Sequence, residues 1–123
     1  LLAGRPSPED SSLTALDQLA ADRAFVAVAL ARNGEAVEAR KVRDAARAYY
    51  QPLLATGASD HDTRFQSARL LLADGLLTTS AAEKRTAYEA GLVEIAAMPA
   101  QPKQLRWVRE LKATLEEELA RLK

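Results

Sequence analysis

Cysteine is absent from the 123 residues, which excludes a disulfide framework, thiolate metal sites and cysteine nucleophiles. A single histidine excludes any metal site built from several imidazoles within the chain. Net charge is lacking as well: 17 basic and 17 acidic side chains cancel, so no overall field draws the chain to nucleic acid or an anionic membrane. The longest apolar run, Ala24–Ala31, falls far short of the roughly 18 residues that a bilayer span needs. No glycine-rich phosphate loop, nucleophile elbow or zinc-ligand spacing occurs. Neither catalysis nor a cofactor or metal is therefore expected.

What remains is a globular composition, with 48% apolar and 28% charged residues, in a chain long enough to bury roughly two-thirds of its unfolded surface. Alanine and leucine dominate, and both favour helix. The five glycines and five prolines read as punctuation between periodic segments. No stretch alternates as a half-buried strand would. The fold class expected is all-α, with about five helices. The first residue is Leu1 rather than Met, so the chain reads as a piece of a longer, regulatory protein.

Residues 1–10, with Gly4, Pro6 and Pro8, read as a flexible tail ahead of a single domain over 11–123. Ser11 or Ser12 offers the cap of a first helix, with Leu13, Leu16, Leu19 and Ala20 as its stripe. From Ala24 to Ala31 this helix becomes apolar all round, which implies burial on more than one side. Asn33-Gly34 ends it. A second helix starts at Glu35 and buries Val37 or Ala36, Ala39, Val42, Ala46 and Tyr49 or Tyr50, with Pro52 bending or ending it. A third runs from a Ser59 or Asp60 cap through Phe65, Ala68 and Leu72 to Asp74, where Gly75 stops it. Ser80-Ala-Ala-Glu83 has capping-box spacing and opens a fourth, carrying Ala87, Tyr88, Leu92 and Ile95 up to Pro99. Pro102 opens a fifth, striped by Leu105, Val108, Leu111, Leu115, Leu119 and Leu122.

The stretch Val26–Pro52 resembles a tetratricopeptide repeat. The large–small–large positions of that family hold Val26, Ala27 and Leu30; its glycine-acid turn is matched by Gly34-Glu35, its Glu-Ala pair by Glu38-Ala39, and a later small position by Ala46. Small residues there let two helices approach closely. The family's leading tryptophan position holds Arg23, its second-helix aromatic Arg43, and its proline Gln51. The second helix pair matches less well, since Leu76–Thr79 lengthens its turn. The resemblance implies stacked antiparallel hairpins closed by a capping helix, acting as a protein-interaction scaffold.

Family members that grip acidic tails use Lys and Asn on the inner face of each first helix. Those places hold Ala24 and Val28 here, followed by Ala31 and Arg32. The resemblance thus implies a concave, largely apolar surface for a protein or peptide partner or a second copy, built from Ala24, Val28, Ala31, Arg32, Phe65, Arg69 and Leu72. The plainer alternative is that Ala24–Ala31 is simply covered by the fifth helix.

Three other features have a functional and a structural reading. Arg40, Arg43 and Arg47, with Lys41, form a basic face on the second helix that could contact nucleic acid; a solvated face partly neutralised by Asp44 is the simpler account. His61, between Asp60 and Asp62, could serve as a base or ligand, yet carboxylates at a helix start are what capping selects. Trp107 is an interface anchor or a lid on one end of the core. Glu116–Glu118 with Arg121 reads as a solvated face.

Overall fold

The computed structural model describes residues 8–56, 61–99 and 105–122, without the side chains of 8–14 and His61. Among the described residues there are five α-helices and no strand: α1 (Pro8–Arg32), α2 (Ala36–Ala55), α3 (His61–Leu77), α4 (Ala81–Ala96) and α5 (Arg106–Arg121). None is long and apolar enough to cross a membrane. The expected caps Ser59 and Asp60, and the expected helix opener Pro102, lie outside the described residues.

Local chemistry accounts for most of the boundaries. α1 begins at Pro8, ahead of the expected Ser11 or Ser12. Proline suits a first helical position, since its missing amide would have no partner there and its φ is already helical. Pro8–Asp10 is thus helix rather than tail, and the rest of the expected tail lies outside the described residues. The chain turns out of α1 at Gly34, with φ at +81°. The Glu35 amide reaches back to the Leu30 carbonyl and the Gly34 amide to that of Ala31, the paired bonds of a Schellman ending.

The Ser80 hydroxyl caps α4 by accepting from the Glu83 amide at 3.2 Å. The other half of the expected capping box is relayed: the Ser80 amide donates to Thr78 Oγ1, whose hydroxyl donates to Glu83.

Pro52, expected to bend or end α2, does not end it, and Gly75, expected to stop α3, does not stop it. Pro52 lies inside α2, which continues to Ala55. Proline removes one amide donor, but Leu53 beyond it packs against the core cluster around Tyr50, and the Thr56 amide still closes on the Pro52 carbonyl. Gly75 does not stop α3, which runs on to Leu77. It is a packing glycine, pressed against the ring of Tyr88 from α4.

α3 is the central helix, packing against α1, α2 and α4 and, more briefly, α5. It buries Phe65, Ala68, Leu70, Leu72, Ala73 and Leu77, residues that point in several directions around its axis. α1 packs on α2 and α3, with Ala20, Ala24, Ala27, Ala39 and Ala46 all buried where these helices meet. Small side chains at those crossings bring the backbones close. Leu16 and Leu19, expected on the buried stripe of α1, are instead exposed, as is Val37 of α2. A second, larger cluster joins α3, α4 and α5 through Phe65, Leu72, Tyr88, Ile95, Val108, Leu111 and Leu115. α5 lies mainly along α4, where Gly91 admits the Leu115 methyls. Its outer face carries Glu117, paired with Arg121 at 2.8 Å.

Candidate docking groove

Three helices each turn one face into a common cavity of about 360 Å³. α1 contributes Phe25, Val28, Ala29 and Arg32; α3 contributes Phe65, Arg69 and Leu72. α5 contributes Trp107, Glu110, Leu111 and Thr114. Spacings of three, four and seven residues put each set on a single helix face. Leu72, Leu111 and Phe65 are buried and form the floor, while Phe25 and Trp107 stand at the rim, 62% and 49% exposed. Large aromatic side chains in an open groove are characteristic of binding surfaces.

The candidate residues read from the sequence separate into two groups. Val28, Arg32, Phe65, Arg69 and Leu72 all line the groove. Ala24 does not: it is fully buried at the crossing of α1 with its neighbours and can touch no partner. Ala31 is half-buried and faces away from the groove lining. Within 24–31 burial falls on more than one side, as expected, because Ala24 belongs to one core cluster and Val28 packs against the other, but it is not complete: Phe25 and Val26 are exposed. Nor does α5 cover this segment; it leaves the groove open instead.

Trp107 packs over Phe65 with ring centroids 5.5 Å apart and the planes tilted by 32°. It therefore closes one end of the floor while keeping half its surface at the rim. Arg69 lies between two rings, 4.6 Å from the centroid of Phe65 and 5.6 Å from that of Phe25. Such cation–π contacts hold a guanidinium against an apolar wall. Burial lowers its pKa, opposed by the nearby Tyr50 and Asp62, but an arginine stays charged in this setting. Its Nη1 donates to Gln66 Oε1 at 3.3 Å. Among the described residues neither Arg69 nor Arg32 has a carboxylate ion-pair partner. Glu110, the groove's own carboxylate, is engaged by Arg106 at 2.8 Å.

Sequence reasoning missed Phe25, Ala29, Glu110, Leu111 and Thr114 as groove residues. The signal available was the shared heptad-like spacing of Phe25 with Arg32 and of Trp107 with Thr114.

The basic face of α2 is turned largely on to α3. Arg47 grips Asp74 with two nitrogens, at 2.6 and 3.1 Å, and Arg43 reaches the same carboxylate at 3.2 Å. Arg40 donates to the Leu77 carbonyl, and Lys41 pairs with Glu38. Asp44, expected to offset Arg40, instead accepts from its neighbour Arg43. A second polar seam joins α3 to α4, where Arg64 and Ser67 both donate to Glu94 at 3.0 and 2.8 Å, and Lys84 donates to the Gly75 carbonyl. Among the described residues no cluster of His, Asp and Glu could hold a metal ion. Asp60 and the side chain of His61 lie outside the described residues.

Compared with known proteins, the chain matches no family model, no curated protein and no solved structure.

Proposed function

We propose that this chain is a non-enzymatic interaction module, part of a larger regulatory protein, that holds a protein or peptide segment in the groove between α1, α3 and α5. The observation that carries the reading is an apolar floor beneath two half-open aromatic rims, Phe25 and Trp107. Burying such rings against a partner contributes most of the affinity in typical interfaces. The order of helix packing supports a tetratricopeptide-like scaffold, because each helix meets the next and α1 also meets α3, as stacked hairpins require. The nucleic-acid reading of the α2 face draws less support, since Arg43 and Arg47 are occupied by Asp74.

Val28 tests the reading, as a half-buried groove residue packed at the edge of the main cluster. The single tryptophan sits on the groove rim and reports occupancy by its emission. Titrated with a panel of short, leucine-faced helical peptides, the wild type is expected to show blue-shifted Trp107 emission for some members. Val28→Glu is expected to abolish the shift while the far-UV circular dichroism and melting curve stay close to wild type. Unfolding of the variant would make Val28 core and remove the groove; no response of wild type to any peptide would refute docking.

A further inference from the structure

The groove is not purely apolar, and its polar groups specify more than shape. Arg69 is half-buried between Phe25 and Phe65, and one of its five N–H donors is used on Gln66. Arg32 opens into the same groove from α1. No ion pair reaches either arginine among the described residues: Glu110 is engaged by Arg106, and Asp62, exposed at the start of α3, favours the Arg69 cation without pairing with it. By contrast, Arg43, Arg47, Arg64, Arg106 and Arg121 all have carboxylate partners. Arg69 and Arg32 both turn into this one cavity, and of the two it is Arg69 whose guanidinium is partly desolvated.

A partly desolvated guanidinium is costly to leave without an anion, and its planar fork matches a carboxylate with two parallel hydrogen bonds. We propose that the groove recognises a protein segment in which a glutamate or aspartate lies beside bulky apolar side chains, the apolar groups filling the floor over Leu72 and Leu111 and the carboxylate pairing with Arg69, flanked by Arg32. This rests on the docking reading given above and names the chemistry of its occupant. Arg69 sets specificity, because a segment without the acid leaves the guanidinium buried beneath it without an anion.

The test uses terminally blocked, leucine-faced helical peptides in pairs that differ only by Glu or Gln beside the leucines, with Trp107 emission and titration calorimetry as readouts. Wild type is expected to bind the Glu member about tenfold or more tightly than its Gln twin, as a charge-assisted hydrogen bond at a partly desolvated site supports. Raising the salt should narrow that gap only modestly, because the pair is half-buried. Arg69→Gln should bring the two peptides to equal affinity while retaining the binding that the Gln twin shows, and Arg32→Gln should reduce the preference without abolishing it. Equal binding of both twins by wild type would overturn this proposal and leave the docking groove standing. Binding of neither would overturn both.

Discussion

Replacing Gly75 by alanine sets helix propensity against packing, and the two have opposite signs. At a free interior helix position alanine is about 1 kcal/mol more favourable than glycine. At Gly75, however, the added Cβ would lie 2.2, 2.6 and 2.8 Å from Cε1, Cζ and Cδ1 of Tyr88. Carbon atoms settle at about 3.5–4 Å, so the ring must retreat by more than about 1 Å. Tyr88 is 1% exposed within the cluster that includes Phe65, Ile95 and Leu115, and a rigid ring in a filled core has little room to move. Overpacking of this kind costs about 1–3 kcal/mol, and the depth of the overlap puts Gly75 at the upper end. After the propensity gain is subtracted, Gly75→Ala should destabilise the domain by about 1–2 kcal/mol, or lower its Tm by about 4–8 °C. Urea denaturation followed by far-UV circular dichroism gives the value directly. Pairing the change with Tyr88→Leu should recover part of the loss relative to Tyr88→Leu alone, because the obstacle is the ring. Gly91→Ala is the internal control: its Cβ would meet flexible Leu115 methyls at 3.1 and 3.2 Å, so the cost should be smaller. A Gly75→Ala protein as stable as wild type would refute the idea that this glycine exists for contact with α4.

Two further outcomes concern charge and protonation. Burial, then a hydrogen bond to Asp17, pushes the Tyr49 pKa up to about 12, and Tyr50 and Tyr88 are pushed up by burial first as well. The folded state therefore keeps these protons after the unfolded chain has begun to lose them near pH about 10, so stability is full below about pH 10 and falls as pH rises towards about 12. Urea midpoints measured at mildly and strongly alkaline pH should show this fall, and Tyr49→Phe should make it shallower; an unchanged slope would contradict the assignment. Asp74→Asn should cost about 1–2 kcal/mol in a urea titration, because it leaves Arg43 and Arg47 facing each other without the carboxylate that joins α2 to α3. Addition of Arg47→Ala should then cost less than it does in the wild type.

Features decided within one or two helical turns were legible in the sequence. The Gly34 ending, the Ser80 cap, the buried alanines at 39 and 46 and the Val108–Leu111–Leu115 part of the α5 stripe follow from spacing and residue type, whereas Leu105, expected on that stripe, is the exposed N-cap ahead of the helix. What was not legible depends on partners distant along the chain. Gly75 reads as a stop until Tyr88 is placed against it, and Pro52 reads as a bend or an end until Leu53 beyond it is seen packed against a core cluster. The basic face of α2 looks solvated when only Asp44 is considered; its main partner, Asp74, is 31 residues from Arg43 and 27 from Arg47. For the groove, the family resemblance pointed to Val28, Arg32, Phe65, Arg69 and Leu72, which line the cavity, but it could not exclude Ala24. An all-apolar stretch carries no periodicity with which to tell its inner face from its outer one.

The same close contacts that defeated a local reading explain why a groove exists at all. Gly75 lets α4 sit tightly on α3 through the Tyr88 ring, and Gly91 lets α5 sit tightly on α4 through Leu115. α5 is thereby drawn along α4 and meets α3 only briefly, while α1 is held on the far side of α3 by the alanine crossings with α2 and α3. With α1 and α5 each committed to a different neighbour, the space over Phe65, Arg69 and Leu72 is left uncovered. The groove is therefore a consequence of where the small residues lie. Its depth should respond to Gly91 more than to any residue on its rim, since a bulkier side chain there would lift α5 as a unit.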